Sequence, residues 1–131
     1  MKIMKYVSSV ALLVLITSAF SSSKYSQDFY HFGIAKSAPA KDANVESVSQ
    51  ISIWFTQVPQ DNSVSIRLVD AYGSLVTDVN FETDQTSATL FTAVLERALA
   101  SGRYKVAWRG IGQDGHPVIG DYIFTVSESS F

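Results

Sequence analysis

The chain is 131 residues long, contains no cysteine and carries a formal net charge of −2. That length holds one domain with a modest core. The missing cysteines exclude disulfides, thiolate metal sites and cysteine nucleophiles, and the sequence shows no basic stripe of the kind nucleic acid requires.

Residues 1–21 read as a secretory signal. Lys2 and Lys5 form a short basic region, and YVSSVALLVLITSAF (6–20) is an apolar run of 15 residues, short of the roughly 20 needed to span a bilayer. Ala19 and Ser21 take the −3 and −1 positions that a signal peptidase favours. The expected product works outside the cytoplasm and has no membrane span. Residues 22–30, SSKYSQDFY, read as a flexible leader, and residues 128–131 as a tail.

Between them, residues 31–127 show short segments of alternating polarity separated by turn residues. ISIWF (51–55) stops before VPQDNS, with Pro59, Asp61 and Asn62. VSIRLVD (64–70) sets Val64, Ile66 and Leu68 on one face and Ser65 and Arg67 on the other, and Gly73 turns the chain. SLVTDVNF (74–81), SATLFTAVL (87–95), RYKVAW (103–108) and YIFTV (122–126) complete the set. VLERALA (94–100) hints at a helical turn, stopped by Gly102. About seven strands at this spacing predict an all-β, immunoglobulin-like antiparallel sandwich or Greek-key barrel. Trp108 is expected to plug the core between the sheets.

There is no internal repeat, phosphate loop, Walker motif or Gly-x-Ser-x-Gly. A serine triad also needs a histidine base with an acid to orient it, and the chain has only His31 and His116. No enzymatic reaction is expected. The residues that suggest chemistry are Asp114-Gly115-His116. In an extended segment, residues two apart project to the same side, so a carboxylate oxygen and an imidazole nitrogen can approach one ion. Asp-Gly is equally a common turn dipeptide.

The stretch YKVAWRGIGQDGHPVIGDYIFTV is similar to the C-terminal signature of the CopC family of periplasmic copper-binding proteins. The matching positions are Gly102, Tyr104, Val106 and Trp108, then Asp114 to Pro117, Gly120, and Phe124 to Val126. Upstream, HFGIAKSAPA resembles the opening strand of that family, with His31 and Pro39 at the family spacing. ISIWFTQVP and IRLVDAYG resemble later segments. Where the family often has Phe-Ser-Glu, this chain has Phe55-Thr56-Gln57, and the loop before the Asp-Gly-His motif has Gly112 in place of a serine.

The resemblance implies a periplasmic protein that buffers or delivers copper(II). Its ligands would be His31, Asp114 and His116, with Gln57 in a supporting position behind them. In the family the first histidine is the mature N-terminus and binds through both ring and α-amine; here, cleavage near Ser21 leaves His31 internal. Imidazole nitrogens and a carboxylate in a tetragonal plane suit copper(II). The two methionines are Met1 and Met4, so no thioether site for copper(I) is expected. An inner-membrane importer of the CopD type is the partner implied by the family. If the ligand set does not assemble, the alternative is a metal-free or weakly metal-binding sandwich that acts as an interaction module.

Overall fold

The computed structural model describes residues 31–77 and 79–128. The expected signal, the leader and the last three residues of the tail lie outside the described residues. Eight strands are present among the described residues: β1 (Ile34–Ala38), β2 (Asn44–Val45), β3 (Gln50–Phe55), β4 (Ser65–Val69), β5 (Glu82–Thr83), β6 (Leu90–Val94), β7 (Gly102–Ile111) and β8 (Pro117–Val126). They form two four-stranded sheets, ordered β1-β3-β6-β5 and β2-β8-β7-β4. The long pairings are antiparallel. The two-residue β2 adds in parallel at the end of β8. The expected sandwich is therefore the observed one, with two very short edge strands in addition.

Period-2 alternation assigns each face. In β7, Tyr104, Val106, Trp108 and Gly110 point inward, while Arg103, Lys105 and Arg109 point to solvent. The β3 residues Ile51, Ile53 and Phe55 and the β8 residues Tyr122, Phe124 and Val126 supply the facing layers of the core. The Tyr104 hydroxyl donates back to the Ala100 carbonyl at 2.7 Å, a corner contact common in sandwiches of this kind.

Trp108 takes the expected position. Its ring meets Phe55 (5.5 Å between centroids) and Phe32 (6.1 Å) edge-on, the arrangement that aromatic quadrupoles favour. This packing explains two glycines that no turn requires. A Cβ at Gly120 would stand 2.5 Å from Trp108 Cζ2, and one at Gly110 would stand 2.6 Å from the Phe32 ring. Large rings here lie directly on bare backbone.

Two expectations are corrected. VLERALA forms no helical turn. Val94 closes β6, and the amides of Leu95 and Leu99 donate to the carbonyls of Ser49 and Val48, on the segment leading into the neighbouring strand β3, rather than along their own segment. Both leucines turn toward the core, so their spacing of four reflects two inward contacts of an irregular stretch. SLVTDVNF does not form a strand over its length either; it contributes one bridge, Leu75 to Val69.

Candidate metal centre

Asp114 and His116 lie in the connection between β7 and β8. Ile111 still pairs with Pro117, and between them the Gly115 amide donates to the Gly112 carbonyl at 3.0 Å. Gly115 has φ +82°, a left-handed conformation that glycine adopts at no steric cost. The tight turn therefore depends on the Asp-Gly dipeptide.

Asp114 and His116 come together as expected, but by a different route. They are held by the turn, not by alternation along a strand. Asp114 Oδ1 accepts the backbone N–H of His116 at 3.1 Å, and Oδ2 lies 3.0 Å from His116 Nδ1. An ionised carboxylate only accepts, so Nδ1 carries the proton of this contact. The amide of His116, and then its ring, hold the Asp114 carboxyl below the usual carboxylate range. Both side chains are open to solvent, 80% exposed for His116 and 60% for Asp114.

His31 is exposed at the start of the described chain. Its carbonyl accepts the Thr56 hydroxyl at 2.8 Å, and Thr56 Oγ1 also accepts the Gly33 amide at 3.1 Å. The next residue, Phe32, is buried and stacks on Phe55 at 4.9 Å. A Cβ on Gly112 would stand 2.9 Å from Phe32 Cβ, 3.3 Å from Asp114 Oδ1 and 3.5 Å from Gln57 Oε1. The backbone around His31 thus packs against the turn that carries the pair. Gly112 is the residue that admits Phe32 so closely.

Gln57 reaches the same turn. Its Oε1 accepts the Gln113 amide at 3.1 Å, and Gln113 Nε2 donates to the Val58 carbonyl at 2.7 Å. Thr56 and Gln57, consecutive after β3, therefore tie down the two arms of the site: one holds the His31 backbone, the other the residue before Asp114. Sequence reasoning identified Gln57 but missed Thr56 and Gln113. The available signal was the place of Thr56 directly before Gln57, with a hydroxyl able both to donate and to accept.

Among the described residues, no group of three or more His, Asp or Glu side chains is gathered as a metal cluster. The structure joins Asp114 to His116 and brings the His31 backbone to their turn, but the His31 ring stands apart from the pair.

Comparison with known proteins agrees with this architecture. The family model described as the CopC domain matches residues 34–127. The chain is 26% identical over 102 residues to the copper transport protein CutJ of Bacillus subtilis; the match takes in 77% of this chain and only 19% of the relative's length. CopC from Methylosinus trichosporium OB3b superposes with a TM-score of 0.67 at 25% identity, covering 77% of this chain and 98% of that one. PcoC, a methionine-rich copper resistance protein from Escherichia coli, superposes with a TM-score of 0.65 at 23% identity, covering 74% and 99%.

Proposed function

This chain belongs to the CopC domain family, and from that premise we propose that it is a copper(II)-binding protein that works in the periplasm, buffering the ion or passing it on. The name of one relative, the copper transport protein CutJ, supports the copper part of this reading. The observation that carries the rest is the Asp114–His116 pair. Its 3.0 Å separation of oxygen and nitrogen serves a hydrogen bond. Once the ion displaces the Nδ1 proton, the same separation also serves two adjacent corners of a coordination square, since ligands at roughly 2 Å and at right angles stand roughly 2.8 Å apart.

In this reading Asp114 supplies a carboxylate oxygen, and His116 and His31 supply imidazole nitrogens. Thr56 and Gln57 hold the two arms in register. The ion is cargo and no reaction is performed on it. A secretory signal over residues 1–21 is part of the proposal, as is an inner-membrane importer of the CopD type as recipient.

The second reading, a sandwich that acts as an interaction module without copper, is favoured by one observation. Asp114 and His116 satisfy each other, and no third metal-binding side chain joins them among the described residues. Titration of the protein with copper(II) and with zinc(II) separates the two readings. Two imidazoles and a carboxylate should prefer copper, following the divalent affinity order. Zinc binding as tight or tighter would overturn the copper reading, and binding of neither ion would favour the second.

A further inference from the structure

The Lys and Arg residues look dispersed in the sequence, yet the sandwich gathers them. Four of the seven among the described residues, Arg67, Arg103, Lys105 and Arg109, project from one face. Register sets their arrangement. Ser65, Arg109 and Ile119 form one row across β4, β7 and β8; Arg67, Ala107 and Asp121 form the next; Val69, Lys105 and Ile123 the third; and Arg103 stands beside Thr125. Asp121 is the one acidic residue in these rows. Among the described residues none of the four cations takes part in an ion pair.

We propose that this outer face of β4, β7 and β8 is a docking surface for a bilayer containing anionic phospholipid. The inference goes beyond copper binding and does not depend on it.

Three features favour a lipid surface over an acidic protein. The face is a broad, open sheet surface, not a groove shaped to one segment. Ile119 stands 81% exposed beside Arg109, an apolar side chain among cations that can enter the headgroup region. Three of the four cations are arginines, whose planar fork grips phosphate through two parallel hydrogen bonds. Ala107, small and central, leaves a shallow depression between Arg67, Arg109 and Ile119 where a headgroup phosphate would sit. Nine of the ten Asp and Glu among the described residues lie outside these rows, which favours this face for an anionic surface. The turn bearing Asp114 and His116 lies at one end of the same face, and docking would bring it to the bilayer.

The test is sedimentation with vesicles of phosphatidylcholine, with and without phosphatidylglycerol, in the absence of copper. Because residues 6–20 are apolar and Lys2 and Lys5 basic, the protein used is the processed form, checked by intact mass. Binding should require phosphatidylglycerol and weaken steeply with added salt. Arg67→Glu with Arg109→Glu should weaken it at least about tenfold. Lys36→Glu with Arg97→Glu, the same charge change away from this face, should have a much smaller effect. Near-ultraviolet circular dichroism reports that each variant is folded. Four outcomes would overturn the proposal: no vesicle binding, equal binding to pure phosphatidylcholine, equal loss in both double variants, or displacement by poly-glutamate or inorganic phosphate as effective as displacement by anionic vesicles.

Discussion

Both carboxylate oxygens of Asp114 are engaged by one residue, His116: Oδ1 by its backbone amide and Oδ2 by its ring. The carboxylate and the imidazole are fixed by the local fold of three residues, with Gly115 between them in the left-handed region. Nothing in the core depends on either side chain.

Replacement of the pair should therefore separate metal binding from stability. His116→Ala is expected to remove most copper affinity while shifting unfolding free energy by no more than about 0.5 kcal/mol, as for other surface substitutions. Asp114→Asn should weaken copper less, because a carbonyl oxygen remains. Copper titration and urea denaturation of each variant provide the two readouts. A His116→Ala protein that unfolds but still takes up copper would reduce the motif to a turn.

The pH dependence follows from the sign of the Asp114 shift. Its folded pKa is lowered, so the stability it contributes is fully present above its unfolded value, about 3.9. That contribution is lost only as pH falls through the lower folded value. Between pH 5 and 8 this carboxylate stays ionised, so acid release of copper in that window does not come from Asp114, since ligands bind deprotonated. The number of protons taken up per copper released in that window should hence be the same in Asp114→Asn as in the unaltered protein, although the weaker affinity of the variant moves its release midpoint to higher pH. Fewer protons taken up by the variant would mean that the carboxyl titrates in that window.

The role of His31 depends on where the mature chain begins. An internal histidine offers a ring nitrogen alone, whereas an N-terminal one adds its α-amine. Electron paramagnetic resonance of the copper form should count two nitrogens if the chain starts near Ser22, and three if processing reaches Tyr30. Intact mass fixes which case applies. A spectrum unchanged by His31→Ala would exclude this residue from the ligand set.

Gly120 is expected to be intolerant for a packing reason. An added methyl would meet the Trp108 ring at 2.5 Å, and that ring is wedged against Phe32 and Phe55. Gly120→Ala should cost about 1–3 kcal/mol by overpacking, read as a lower denaturation midpoint. Gly73→Ala would be a poor control, because its φ of +81° introduces backbone strain; Ala71→Ser, on an exposed residue, serves better.

The strands with clean alternation were legible in the sequence because each had one wet and one dry face. ISIWF, VSIRLVD, RYKVAW and YIFTV all fall within β3, β4, β7 and β8 or within one residue of their ends. Segments that satisfy their backbone outside a ladder were not legible. Leu95 and Leu99 are spaced like a helix but bond to the segment leading into β3, which no local pattern encodes. At the site, the Asp114–His116 pairing was readable from spacing, although the turn that makes it was not anticipated. Thr56 and Gln113 act through contacts with residues 25 and 56 positions away. Polar links over such separations leave no periodic trace. The cationic face was missed for the same reason: its members lie on separate strands, and register alone aligns them.

Phe32, one residue after His31, is sandwiched between Phe55 and the bare backbone of Gly110 and Gly112. In the proposed site, that would make His31 a ligand on a one-residue tether. A group so leashed explores only a small volume beside the Asp-Gly-His turn, and its effective concentration there is on the order of millimolar or higher. An ion first captured by Asp114 and His116 would meet the third ligand without a separate search. Shortening or lengthening the chain before His31 would leave that proximity unchanged, because the leash is measured from its buried end.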